Sequence, residues 1–234
     1  MPTYNNERTL AQVIDAVIEY MPTVIVVNDG STDGTREILK GYEGKIEIVD
    51  YGKNRGKGFA LSCGFDRAEE LGFTHAITID SDGQHYASDI PQFLKIAEAN
   101  PEVLTVGGRN LAHDNMPGKS TFANKFSNFW FTVQTSRRLS DTQTGYRLYP
   151  LQKMKGLRPL SSRYEAELEI LVRCAWRNIT INSIPINVFY APERVTHFRP
   201  CMDFIRISVL NAIFVLLAVI YGYPSMAIRK LVTN

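Results

Sequence analysis

Hydrophobic and polar positions change period repeatedly along this chain, and the changes mark out alternating helices and strands. Leu10, Val13, Ile14, Val17 and Ile18 recur at helical spacing, the pattern of an amphipathic helix with one buried face. Thr23 to Val27 is a short β-branched run that reads as a buried strand. A turn at 28–34, a short helix at 35–40 and a second strand at 46–49 follow. Asn54-Arg55-Gly56-Lys57-Gly58 opens a helix carrying Leu61, Phe65 and Ala68, and Ala76 to Ile79 reads as the next strand. A helix with Ile90, Phe93, Leu94 and Ala97 then leads to a strand at 103–106. Residues 120–136 read as a helix whose aromatic side chains (Phe122, Phe126, Phe129, Trp130, Phe131) suit core packing. Residues 164–176 read as a further helix, and 179–190 as one or two strands broken near Pro185. Such alternation predicts an α/β fold with a mainly parallel sheet flanked by helices.

Acidic residues sit where these strands end. Asp80-Ser81-Asp82-Gly83-Gln84-His85 directly follows the apolar run Ala76-Ile77-Thr78-Ile79. Two carboxylates at the carboxyl end of a strand lie on the edge where open α/β sheets bind ligands. Oxygen donors of this kind suit a hard cation such as Mg²⁺, which completes its shell with substrate phosphates and water. A lone Asp-x-Asp would be ordinary turn chemistry. Here Asp29, Asp50, Asp80 and Asp82 all fall at or just beyond strand ends, and parallel strands would collect them on one edge. The pattern points to a metal-assisted enzyme acting on a diphosphate-containing substrate.

Composition narrows the partners. The 234 residues include 26 basic and 24 acidic side chains, a net charge of +2, which predicts no nucleic-acid partner. Cys63, Cys174 and Cys201 are odd in number and widely spaced, fitting a reducing compartment rather than a disulfide framework or a zinc site. Residues 207–228 carry no charge, and as a helix they would measure about 33 Å, enough for a hydrocarbon core of about 30 Å. Asn211, Gly222 and Pro224 weaken a spanning assignment. Membrane association is expected, with a spanning, a core and an in-plane helix all open. Gly56-Lys57 invites comparison with a phosphate-binding P-loop, but Tyr51 and Gly58 stand where that motif needs Gly and Ser or Thr.

Five ordered motifs carry a family resemblance: Pro2-Thr3-Tyr4-Asn5, Val27 to Thr35, Asn54 to Ala60, Asp80 to His85, and Asp141-Thr142-Gln143-Thr144-Gly145-Tyr146-Arg147. Together they resemble family 2 glycosyltransferases, in the branch of dolichyl- and polyprenyl-phosphate mannose or glucose synthases. The resemblance runs from residue 2 to about 194. It implies a GT-A nucleotide-diphospho-sugar transferase fold over residues 1–200, followed at 201–234 by a hydrophobic membrane-associated helix and tail. The implied reaction is an inverting transfer of one sugar from a nucleotide-sugar donor to a polyprenyl phosphate or related lipid. The implied location is the cytoplasmic face of the cell membrane, and the implied cofactor is a divalent metal, Mg²⁺ or Mn²⁺.

By position, the resemblance places Pro2, Tyr4 and Asp29 on the nucleotide base and ribose, Lys57 near the nucleotide, and Asp80, Asp82 and Gln84 on the metal and diphosphate, with Asp80 also near the ribose. It places Arg109 and Arg194 on acceptor phosphate. A lipid phosphate is already anionic and needs no base, whereas a hydroxyl acceptor on a glycan or lipid would. Asp141 is the candidate base for that second reaction, with a capping role as its alternative. A non-catalytic nucleotide-sugar-binding membrane protein is the third reading. Three departures stand out: Asn28 replaces a common Asp, Arg194-Val195-Thr196-His197 replaces Gly-x-Ser-Lys, and only Met1 precedes Pro2 where the family has an apolar strand. A first strand that is apparently missing would leave neighbouring edges unpaired, so low stability or aggregation is expected of the chain as given.

Overall fold

A computed structural model describes residues 1–109, 118–163, 165–189 and 200–233. The first half alternates as the periodicity predicts: β1 (Pro2–Thr3), α1 (Leu10–Ile18), β2 (Ile25–Asn28), α2 (Thr35–Lys40), β3 (Glu47–Asp50), α3 (Lys57–Glu70), β4 (His75–Thr78), α4 (Ile90–Ala99) and β5 (Leu104–Arg109). The second half adds α5 (Gly118–Thr135), β6 (Arg147–Pro150), α6 (Glu165–Trp176) and β7 (Ile181–Ile186). The C-terminal helix runs as α7 (Pro200–Leu217), a wider π turn at Ala218–Gly222, and α8 (Tyr223–Thr233).

The strands form two sheets, β1-β2-β3 and β4-β6-β5-β7. The first is wholly parallel. In the second, β5 pairs parallel with β7, while β6 runs antiparallel to both β4 and β5. Strand β6 escaped the periodicity reading because its four residues are all buried, so no alternation of polar and apolar positions announces it. Pro185 does not break β7, which continues through it. β7 lies at the sheet edge, where a missing N–H is tolerated.

Consecutive residues of the strands face opposite cores. Ala76 and Tyr149 join a cluster with Leu61, Phe65, Leu104 and Trp176, whereas Ile77 and Leu148 join one with Leu10, Ile14, Val26 and Phe93. Helices therefore cover both faces, as the period-2 geometry of strands requires.

The first strand is present but reduced to two residues, with Pro2 opposite Val27 and Thr3 opposite Asn28. Met1 prolongs the ladder by donating its amine to Ile25 O at 2.8 Å. β1 and β4 thus end their respective sheets. Between the sheets lies an apolar cavity of about 120 Å³, lined among others by Val24, Ile25, Val27, Gly64, Phe65 and Ala76. Empty apolar volume of this kind forfeits dispersion contacts along its walls.

Gly64 lies inside α3 on this wall, and a Cβ there would stand 3.4 Å from Val27 Cγ2, an ordinary contact. Gly64→Ala is expected to raise stability by about 1 kcal/mol from helix propensity alone, a gain of roughly 2–4 °C in melting temperature for a chain of this size. A lower melting temperature would show that the cavity closes in solution.

Candidate functional site

The site forms where the carboxyl end of β4 meets the start of α3, the loop before β6, and helix α6. Lys57 is the first residue of α3, and its ammonium lies 2.7 Å from Asp80 Oδ1 and 3.1 Å from Glu167 Oε1. Only 17% of the Lys57 side chain and 27% of Asp80 are exposed, so solvent screens the cluster weakly. Burial alone would lower the lysine pKa, but Asp80 and then Glu167 overcome it and hold the ammonium charged above its ordinary range. Burial alone would raise Asp80, yet the Lys57 charge, with His85 and Arg147 behind it, holds the carboxyl below its usual value. Both partners stay ionised, one lysine between two carboxylates.

Each member is positioned by local structure. Asp29, just past β2, accepts from the backbone N–H of Arg55 at 2.7 Å and of Gly56 at 2.8 Å, one oxygen to each. Those bonds brace the turn that delivers Lys57. Gly56 sits at φ +95°, and a Cβ there would be 2.2 Å from Ser162 O, so the turn admits only glycine. A Cβ on Gly145 would come within 2.6 Å of Asp80 Oδ2. The loop before β6 therefore presses its backbone against the carboxylate.

Asp82 accepts from Gln84 N at 3.1 Å and from Gln84 Nε2 at 2.6 Å. Ser81 ties the same loop down, donating from Oγ to Pro2 O at 3.2 Å and accepting at its carbonyl from Thr9 Oγ1 at 2.7 Å. Tyr4 follows β1 and is half-buried.

A second cluster lies at the end of β5. Asp141 is fully buried. It accepts from Arg109 Nε at 2.6 Å, Arg109 Nη2 at 3.0 Å and Arg109 N at 3.3 Å, and also from Asn124 Nδ2 and from Gln143 N at 3.0 Å. Burial would push this carboxyl up, but the Arg109 hydrogen bonds and charge hold it below its ordinary range. Arg147, also buried, donates to Thr144 O at 2.7 Å, Glu167 O at 2.7 Å and Thr142 O at 2.9 Å. It fastens the loop carrying Asp141 and Gly145 to α6.

The structure thus brings Lys57 and Asp80 together, puts Asp82 beside Gln84, pairs Arg109 with Asp141 and sets Asp29 beneath the Lys57 turn. Arg194 lies outside the described residues. Glu167 and Asn124 were not singled out in the sequence, and Gly145 and Arg147 stood in the 141–147 motif without an assigned role. The available signal was the alternation of Glu165, Glu167 and Glu169 with apolar residues at the start of α6, where Glu167 and Glu169 are buried. Among the described residues no three His, Cys, Asp or Glu side chains cluster as a preformed metal cage.

The Glycosyl transferase family 2 description matches residues 1–153. The chain belongs to that family. It is 27% identical over 211 residues to the UDP-N-acetylglucosamine–dolichyl-phosphate N-acetylglucosaminyltransferase of Methanococcus voltae, covering 81% of this chain and 84% of that one. It is 25% identical over 198 residues to the polyprenol monophosphomannose synthase of Mycolicibacterium smegmatis, covering 80% and 74%. Among solved structures, the glucosyl-3-phosphoglycerate synthase of Mycobacterium tuberculosis, held with Mn²⁺, uridine diphosphate and phosphoglyceric acid, superposes with a TM-score of 0.69 at 17% identity, over 93% of this chain and 76% of that one. That likeness shows the GT-A fold. In this family 2 chain the antiparallel β6 sits between β4 and β5, which places the Gly145 loop directly over Asp80.

Removing the lysine strands two buried acids. Lys57→Met is expected to cost about 3 kcal/mol of unfolding free energy, and Lys57→Met/Glu167→Gln to recover part of it. Urea midpoints of the single and double variants check this, and additive effects would mean that the three groups do not act as one cluster.

Proposed function

We propose that the protein moves one sugar from a nucleotide-sugar donor to a polyprenyl phosphate in a membrane, with inversion at the sugar carbon. The observation that carries the choice of acceptor is the state of Asp141. Its oxygens are taken up by Arg109, Asn124 and Gln143, and its pKa is held low. A base must be free to take a proton and matched in pKa to the task; Asp141 is neither. A phosphate acceptor arrives already ionised and needs no such group. The two sequence relatives, named for dolichyl-phosphate and polyprenol transfer, support the same reading.

In this reading residues 1–200 are the catalytic part, and 201–234 attach it to the cytoplasmic face of the membrane, where nucleotide sugars are made. Arg109 meets the acceptor phosphate with a planar guanidinium already oriented by Asp141. Arg194 is assigned to the same phosphate on the resemblance alone. Pro2 and Tyr4 flank the nucleotide base, and Asp29 acts on the donor through the Arg55–Lys57 turn it braces. Lys57 is the fixed positive charge beside the diphosphate.

Asp80, Asp82 and Gln84 fit a divalent metal by donor chemistry. All offer oxygen, and Mg²⁺ needs only one or two carboxylates when substrate phosphates fill the rest of its shell. Asp80 and Asp82 would hold it together, the first already paired with Lys57 and the second hydrogen-bonded by Gln84. When bound, such a metal supplies charge neutralisation for the departing nucleoside diphosphate.

The test is release of nucleoside diphosphate from a panel of nucleotide sugars, with polyprenyl phosphate and Mg²⁺ or Mn²⁺ present. Asp82→Ala is expected to lower the rate by about 100-fold or more, in the range of other losses of transition-state charge stabilisation. No release with any common donor would contradict the assignment. Asp141→Asn separates the acceptors: phosphate transfer should weaken, chiefly through a higher KM for acceptor, with its pH profile unchanged. Abolished transfer, or a residual rate that has lost the acid-side limb of its pH profile, would favour a hydroxyl acceptor.

A further inference from the structure

The C-terminal helix is apolar enough to cross a membrane, but its packing points elsewhere. Residues 205–231 form one helical stretch of 27 residues whose most apolar window has a mean hydropathy of 2.1 and is only 22% buried. The buried face is narrow: Asn211, Phe214, Ala218 and Gly222, a helical spacing of three and four. Gln134 Nε2 donates to Asn211 Oδ1 at 2.9 Å, and Trp176 Nε1 donates to Gln134 O at 2.8 Å. The Trp176 ring meets Phe214 edge-on at 5.5 Å. A Cβ on Gly222 would fall 2.4 Å from Trp176 Nε1. Further along, Ser225 Oγ donates to Trp176 O at 3.1 Å and Asn178 Nδ2 donates to Met226 O at 3.2 Å.

These contacts run from residue 211 to 226, about 22 Å of helix at 1.5 Å per residue. A helix fastened over that length cannot traverse a bilayer without taking the ends of α5 and α6 with it. Those ends carry Arg137, Arg173 and Arg177, whose hydrogen bonds go to Ile179 O, Arg158 O and Lys155 O of the folded body. Arginines at that depth in hydrocarbon are strongly disfavoured. The π turn at Ala218–Gly222, just ahead of Pro224, absorbs the proline's missing N–H while keeping the helix continuous.

The opposite face is a run of exposed apolar side chains, including Val209, Ile213, Leu216 at 65% and Ile220 at 75% exposure. Beyond Phe214 and Ala218, the larger aliphatic side chains face out while Asn211 and Ser225 bond to the protein, unlike an ordinary surface helix, whose outward face is polar. Arg206, Arg229 and Lys230 are exposed near its two ends, and residues 204–234 contain no acid. Basic ends around an apolar face complement a bilayer surface bearing anionic lipids.

We infer that this helix lies in the plane of the membrane, docked along the catalytic domain, with its outward face sunk into an anionic lipid surface to about 5–10 Å. The inference goes beyond the transfer reaction and does not depend on it, because vesicle binding is measured without turnover. The full chain is expected to float with vesicles of phosphatidylcholine and phosphatidylglycerol, and at least tenfold less with Leu216→Glu/Ile220→Glu, which should still bind nucleoside diphosphate in solution. With Cys63 and Cys201 replaced by Ser, single variants Arg206→Cys and Lys230→Cys, at the exposed basic ends, should both react with an impermeant maleimide added outside the vesicles. Protection of one end would show a spanning helix and overturn the inference. So would an absence of vesicle binding together with a dimer in ultracentrifugation that Leu216→Glu/Ile220→Glu dissolves, because a second copy would then cover the face.

Discussion

Charge at the end of β4 is the constraint on which the other features depend. Asp80 faces Lys57 at 2.7 Å, and Lys57 also reaches Glu167 at 3.1 Å, in a place water enters only partly. A lone carboxylate there would tend to protonate, and a lone lysine to lose its proton. Together they stay charged and fix three elements relative to one another. The turn before α3 must deliver the lysine, which is what Asp29 and Gly56 do. The loop before β6 must come close without a side chain, which makes residue 145 a glycine. Helix α6 must accept a buried acid, and Arg147 binds that helix to the same loop through Glu167 O and Thr144 O.

The second ionic pair divides the labour. At the end of β5, Arg109 and Asp141 satisfy each other so fully that the acid has no capacity left for proton transfer, while the arginine is held in one orientation. A site built this way favours an acceptor that brings its own negative charge. It fits the proposed transfer to a phosphate, which needs no general base: in that reading the chain's work is positioning and charge balance at a diphosphate, the kind of electrostatic preorganisation that costs no rearrangement during reaction.

Much of this was legible in the sequence, and the parts that were not have physical reasons. Elements whose polar and apolar positions alternate, such as α1 with Leu10, Val13, Ile14 and Val17, declare themselves. Strand β6 does not, because both of its faces are covered and Arg147-Leu148-Tyr149-Pro150 carries no period. Asp80 and Asp82 were visible from their place at a strand end. Glu167 was not, and Arg147 was visible only as a member of the 141–147 motif, since their roles arise from long-range approach between α3, α6 and that loop, which no local pattern encodes. The C-terminal segment shows the same divide. Its hydropathy was plain, but that its polar residues Asn211 and Ser225 anchor it sideways to Gln134 and Trp176 is a tertiary fact.

In the proposed reaction the β4 end, through Asp80 and Asp82, holds a divalent cation together with a nucleoside diphosphate. Titrating the protein with Mn²⁺ and reading the free ion by electron paramagnetic resonance addresses it directly. One Mn²⁺ per chain should bind, tighten when a nucleoside diphosphate is added, and be lost in Asp82→Ala. Mn²⁺ binding that is indifferent to both the diphosphate and that substitution would contradict it.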